Sequence, residues 1–219
     1  MSTSPGSEAG PRRLSPRQSE RRRKILTAAQ TMLARHGYDG VSMRMIAAEA
    51  GVAERTLFNI HSGKAALIAA SARERSDDII GEAWEAATDP GTGFLLTMCA
   101  TLARYTLADP DMARSYAPVL IQHADLIGLH EVYRVHVGRS LRHLADRGLL
   151  PAEVPDALPL IFSMNIVATI EHWASGTITS EHLERHMQLA VAQILLPHAE
   201  GALFDWARDL ARECVSSMG

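Results

Sequence analysis

Apolar residues in this chain recur three and four positions apart and nowhere alternate for long with polar ones, so the backbone is predicted to be helical with essentially no sheet. Glycine and proline cut the helical pattern into pieces. Ile25, Ala29, Met32 and Leu33 mark a first helix that starts near Ser19 and stops at His36-Gly37, where glycine supplies the left-handed residue of a helix end. Ser42 can cap a second helix, Met43 to Ala50, with Ile46, Ala47 and Ala50 facing inward and Gly51 as its break. A third short helix spans about Glu54 to Ile60. After Ser62-Gly63, Lys64 opens a longer helix through Ala65, Leu67, Ile68 and Ala72 to about Ala87, stopped by Asp89-Pro90-Gly91. From Phe94 onward helices follow one another, with breaks at Asp109-Pro110, around Gly128, at Gly148 to Pro155, at Gly176-Thr177 and at Pro197 to Gly201. No internal repeat is present.

Charge divides the chain more sharply than its sum of -3 suggests. Residues 1 to 64 carry 11 Lys and Arg against 5 Asp and Glu, whereas the remainder carries 11 against 20. A basic end on an acidic body fits a chain that meets a polyanion at one end only, because cations placed near phosphates release counterions and supply sequence-independent affinity. The alternative is a solvated charged tail. Residues 1 to 18, rich in Ser, Pro, Gly and Arg, have too few apolar groups to make a core and are expected to be a flexible basic arm. The expected division is therefore the arm at 1–18, a small helical domain at 19–64 and a larger one at 65–219.

Other function classes find little support. No run of about eighteen apolar residues is present and the N-terminus has no signal-type apolar stretch, so no membrane contact is expected and the cytoplasm is the expected compartment. Cys99 and Cys214 lie far apart among apolar helical positions and read as buried free thiols. His182 with His186, and His136 with His143, share helical faces, but without Cys or carboxylate partners at matching spacing they read as surface or interface residues; no metal and no cofactor is expected. The chain lacks a GxSxG elbow, an HExxH pair and a glycine-rich phosphate loop, so it is not expected to be an enzyme.

The second and third helices with the Gly51-Val52-Ala53 turn form a helix-turn-helix pattern: Ala47 permits close packing, Gly51 makes the turn, and Val52 and Leu57 plug the space between the helices. The whole stretch VSMRMIAAEAGVAERTLF from Val41 to Phe58, followed by Lys64 and a long helix and preceded by Ala28-Ala29 and His36-Gly37-Tyr38, resembles the DNA-binding region of tetracycline-repressor (TetR) family regulators. The resemblance covers about residues 20 to 68 and rests on Gly37, Ser42, Ile46, Ala47, Ala50, Gly51, Val52, Thr56, Leu57, Phe58 and Lys64. The chain departs from the family at Ala53, where Ser or Thr is usual, at Arg55, where Gly is usual, and near Ile60 and His61, where aromatics are usual. The resemblance implies an all-α fold: an N-terminal three-helix helix-turn-helix DNA-binding domain followed by a larger helical ligand-binding and dimerisation domain.

Candidate contacts follow from the chemistry of a recognition helix, which presents its N-terminal part to the major groove. Glu54, Arg55 and Asn59 are base-reading candidates: the guanidinium fork suits a guanine edge and the amide an adenine edge, with phosphate contact or simple solvation as the other reading. Ser42, Arg44, Thr56, His61 and Lys64 are better suited to phosphates, Ser42 and Lys64 because they stand at helix N-termini. Leu57 and Phe58 read as core. Arg12, Arg13, Arg17, Arg21, Arg22, Arg23 and Lys24 add nonspecific affinity, reach a minor groove or remain solvated.

One such motif gives modest specificity, so a homodimer reading two halves of a palindromic site on double-stranded DNA is expected. Leu158, Phe162, Asn165 and Thr169 share a face of one late helix, and Leu183, Met187, Ala190, Val191 and Ile194 a face of the next. Two such hairpins would close a four-helix interface, as the resemblance also implies; packing within one subunit is the alternative. A pocket for an unknown small-molecule effector is expected between the DNA-binding domain and these helices. Met98, Leu102, Tyr105, Tyr116, Leu120, His123 and Trp173 are its candidate lining, ordinary core being the other reading. The expected function is a ligand-responsive transcriptional regulator, a repressor rather than an activator by the family's commoner role. A nonspecific architectural DNA binder would not need so large an acidic body.

Overall fold

The computed structural model describes residues 15–218, which form eleven α-helices and no strand. Helix α1 spans Pro16–Gly40 and begins three residues ahead of the expected Ser19. The cause is a capping box. Ser15 Oγ accepts from Gln18 N at 3.3 Å, Gln18 Oε1 accepts from Ser15 N at 2.8 Å, and Pro16 occupies the first helical position. Arg17 and the Arg21 to Lys24 run are therefore helical; Arg12 and Arg13 lie outside the described residues. Gly37, at φ 67° and ψ 173°, interrupts α1 where the sequence placed its end.

Helices α2 (Met43–Ala50) and α3 (Glu54–Ile60) follow their predicted bounds. Ser42 Oγ accepts from Met45 N at 3.2 Å to start α2. Gly51 ends it at φ 65°, donating its amide to the Ala47 and Ala48 carbonyls. Only His61 to Gly63 separate α3 from α4 (Lys64–Ala86). The body then comprises α5 (Thr92–Ala108), α6 (Pro110–Gln122), the short α7 (Ala124–Ile127), α8 (Leu129–Asp146), α9 (Ala157–Ala174), α10 (Leu183–Leu195) and α11 (Gly201–Met218). Carboxylates open two of these helices. Asp89 accepts from the Gly91 and Gly93 amides ahead of α5, and Asp109 accepts from Met112 N at the start of α6.

Two packing relations position the functional regions. Helix α1 lies against α2, α4 and α6, so the N-terminal three-helix unit is joined to the body through both α4 and α6. Helix α10 lies among α5, α9 and α11 and is the most enclosed element of the body, with Leu183, Met187, Val191 and Leu195 all at 0% exposure. Burying a side chain of this kind contributes roughly 1.5–3 kcal/mol. Cys99 and Cys214 are free and buried, and burial pushes the Cys99 thiol well above its ordinary range. Among the described residues no helix is long and apolar enough to cross a membrane.

Candidate functional site

The three-helix unit is organised around Leu57, which is fully enclosed with Ile46, Ala47 and Leu33. Helix α3 has only seven residues, and filling its inner side with Leu57 leaves Glu54, Arg55, Phe58 and Asn59 exposed. Glu54, Arg55 and Asn59 are thus the outward side chains expected of a recognition helix. Phe58 corrects the sequence reading: instead of joining the core it is 51% exposed, on the outer side of α3 with Arg55 and Asn59. An outward phenyl ring there presents an apolar surface of the kind that contacts thymine methyls. Ile60, 42% exposed, sits at the end of the same helix.

The five phosphate candidates separate. Arg44 is exposed on α2 and Thr56 is half-buried on α3, while Ser42 is exposed and committed to capping. Lys64 departs from expectation. Its Nζ donates to the Tyr38 carbonyl at 2.8 Å and stands 4.4 Å from the Tyr38 ring centroid, so its charge holds the start of α4 against the end of α1. His61 departs too: its ring is half-buried, with Nε2 enclosed and without a hydrogen-bond partner among the described residues. Burial, and then the neighbouring Arg22 charge, lowers its pKa. Along α1, Arg17, Arg21, Arg22, Arg23 and Lys24 are exposed; Lys24 pairs with Glu20 at 3.1 Å, one turn away. The basic start of α1 approaches the end of α3, where the Arg22 charge acts on His61.

A cavity of about 60 Å³ lies in the body between α4, α5, α6 and α9. Leu102, Tyr105, Tyr116 and Leu120 from the sequence candidates line it, joined by residues that sequence reasoning missed on α4 (Arg75, Ser76, Ile79), on α5 (Thr106) and on α9 (Ile170). Met98 lies in the core at 2% exposure and does not line it. Trp173 is equally buried elsewhere, donating Nε1–H to Ser180 Oγ at 3.1 Å beneath the Arg114 guanidinium. His123 sits at the end of α6 with its ring centroid 5.0 Å from that of Tyr38, which makes it part of the joint with the three-helix unit. Tyr116 OH meets Ser71 Oγ at 2.6 Å, and burial pushes its pKa up to about 12 although this hydrogen bond opposes the shift. A period search along single helices could not find Arg75 or Ile170, because a cavity is defined by four helices meeting.

The two late helices also behave differently from expectation. Phe162, Leu183, Met187, Ala190, Val191 and Ile194 are at most 2% exposed in the single chain, and Leu158 and Thr169 at most 8%, with Asn165 half-buried. Such side chains already have their partners inside one subunit and present almost no surface to another. The reason is the bundle itself: α5, α9 and α11 enclose α10, while α6, α8 and α10 cover the inner side of α9. The outer side of α9 leaves an apolar strip uncovered, with Leu160 at 42%, Ile161 at 44% and Met164 at 59% exposure; exposed apolar residues elsewhere in the body include Ile121, Leu126, Phe204 and Val215. Of the histidines, His136 Nδ1 accepts from Trp84 Nε1 at 2.9 Å, and His186 has its pKa lowered by burial and then by His182. Among the described residues no group of three His, Cys, Asp or Glu side chains is placed to hold a metal ion.

Comparison with known proteins bears on these regions separately. The family model described as bacterial regulatory proteins, tetR family, matches residues 25–71, from the first buried residue of α1 into α4. The HTH-type transcriptional repressor KstR of Mycolicibacterium smegmatis is 26% identical over 183 residues, which cover 80% of this chain and 88% of that protein. KstR of Rhodococcus jostii is 29% identical over 184 residues, covering 78% and 83%. The fold is similar to that of a TetR transcriptional regulator from Rhodococcus sp. RHA1, with a TM-score of 0.65 at 18% identity over 82% of this chain and 98% of that one. It is also similar to the fatty acid degradation regulator FadR from Bacillus halodurans, with a TM-score of 0.63 at 18% identity over 82% and 96%. At such identities the structural likeness establishes the fold.

Proposed function

Since the chain belongs to the tetR family of bacterial regulatory proteins, we propose that it is a ligand-responsive transcriptional repressor that acts as a homodimer on a palindromic operator in the cytoplasm. The observation that carries this reading is the outward face of α3, where Arg55 and Asn59 stand exposed on a three-helix unit whose first helix begins with a run of exposed cations. Arg55 reads a guanine edge and Asn59 an adenine edge, Phe58 adds apolar contact, and Arg44 with the α1 cations meets phosphates. Similarity to proteins named as transcriptional repressors supports repression over activation.

Dimerisation is assigned to the exposed face of α9, because Leu160, Ile161 and Met164 lie close together on one helix and form an apolar strip that the subunit itself leaves open. Two recognition helices would then address half-sites about 34–36 Å apart on one side of the duplex. The effector site is the cavity between α4 and α6. Its volume of about 60 Å³ is well below the roughly 300 Å³ of a typical small-molecule site, so an effector enters by widening it. Both walls continue into the three-helix unit, α4 through Lys64 and α6 through its packing on α1, so widening alters how that unit is held.

The test is to recover sheared genomic DNA from the host on the purified protein at moderate salt and sequence the bound fragments. A small set of inverted-repeat sites is the expected result. Recovery without sequence preference, repeated after denaturation and refolding to remove any retained small molecule, would refute the specific-repressor reading in favour of nonspecific binding.

A further inference from the structure

Arg75 is the sole formally charged residue lining the cavity between α4, α5, α6 and α9. Its Nη2 donates to the Tyr105 carbonyl at 3.1 Å, and its guanidinium lies 5.4 Å from the Tyr105 ring centroid. One of five N–H donors is thereby used. Among the described residues no carboxylate pairs with it. Glu82 is engaged by Arg104 and by Tyr105 OH, the latter at 3.0 Å, and Asp77 is engaged by Arg73 at 3.1 Å. Glu74 and Asp78, nearest to it along α4, form no ion pair with it. A half-buried cation facing an apolar wall is costly unless an anion answers it.

We propose that the cavity selects an amphiphilic anion, whose carboxylate or phosphate pairs with Arg75 while its hydrocarbon part lies along Ile79, Leu102, Leu120 and Ile170. This inference rests on the cavity being the effector site and adds the chemical class of the effector. The other polar groups agree with it. Ser76 and Thr106 donate to the carbonyls of Ala72 and Leu102 on their own helices at 3.0 and 2.8 Å, and Tyr105 OH donates to Glu82. The guanidinium thus holds the free donors of the lining, and its planar fork suits a carboxylate or a phosphate. An organic cation would meet a like charge, and a neutral ligand would leave the Arg75 charge unanswered.

The test titrates the whole protein by calorimetry with butanoate, octanoate, octyl phosphate, octanol and octylamine, butanoate being included because the cavity is narrow. At least one anion is expected to bind about tenfold or more tightly than octanol, and octylamine not at all, in line with the strength of a charge-assisted hydrogen bond. Comparison of the two octyl anions separates a carboxylate from a phosphate ligand. Arg75→Gln should bring the anions to the level of octanol, and Arg75→Lys should keep the preference for anions at reduced affinity; if the Gln variant does not fold, the Lys variant decides. Equal binding of octanol and octanoate, unchanged anion binding in Arg75→Gln, or binding of none of the five compounds would overturn the proposal. Operator release is measured separately on fragments recovered from genomic DNA. Anion binding without release leaves the site standing and removes its regulatory role, whereas absence of any preferred DNA site removes the repressor reading itself.

Discussion

Arg44 and Arg55 are both exposed cations of the three-helix unit, and their places on different helices suit them to different proposed tasks. Arg55 belongs to the short outward helix α3 and Arg44 to its supporting partner α2. Arg55→Ala is expected to relax sequence preference at one base pair per half-site, at roughly 1–3 kcal/mol, while Arg44→Ala weakens all sequences alike and lowers the salt dependence by about one phosphate contact. Binding to single-base operator variants across a salt series separates the two. A different single-residue effect concerns acid stability. His136 Nδ1 accepts from Trp84 Nε1, and its pKa is lowered from 6.5 chiefly by burial, with Arg139 and Arg73 lowering it further and Asp77 opposing them. A histidine depressed in the folded chain takes up its proton more readily when unfolded, so its stabilising effect is present above pH 6.5 and is lost as pH falls through the folded-state value. His61 and His186 are also depressed and act with the same sign. The thermal midpoint should therefore drop between about pH 7.5 and about pH 5.5, and His136→Phe should shrink that drop without abolishing it. An equal drop in the variant would show that His136 takes no part.

The turn between α2 and α3 depends on two residues that the sequence singles out. Leu57 is completely enclosed, and Leu57→Ala should cost about 2–5 kcal/mol in urea denaturation. Gly51 has open space where a Cβ would stand, so Gly51→Ala should cost roughly 1–2 kcal/mol through its positive φ alone, and Gly51→Asn less. These elements were legible because Ser42, Gly51 and Gly63 mark their ends with local chemistry. The start of α1 was not, because its capping box lies in a polar, basic stretch without apolar periodicity. Phe58 was misread because a helix of seven residues has room for little more than one core side chain, and Leu57 takes that place. The stripes on α9 and α10 were read correctly as apolar faces. Which neighbour covers a face is a property of the assembled bundle: here α5 and α11 cover α10, and α6 and α8 cover α9. The cavity was half legible for the same reason: Tyr105, Tyr116, Leu102 and Leu120 were among the expected lining, whereas Arg75, Ser76 and Ile79 on α4 were not.

At the scale of the molecule, the proposed dimer interface is the exposed strip on α9. Met164→Glu combined with Ile161→Glu should give a folded monomer by light scattering, with unchanged helical circular dichroism and strongly weakened operator binding; a persistent dimer would move the interface elsewhere. Helix α4 then sets the mechanical scale of any response. It runs without interruption from the Lys64–Tyr38 clamp to the cavity wall at Arg75, a distance of about 17 Å at the usual rise per residue. A tilt of about 10° about the cavity would carry the clamped end through roughly 3 Å by that same length. Doubled by two-fold symmetry, this becomes about 6 Å in a half-site separation of about 34 Å, more than the length of a side-chain hydrogen bond. In the proposed dimer, chemistry on the order of one bond at the cavity would be geared up to a mismatch of nearly two base-pair steps on the duplex.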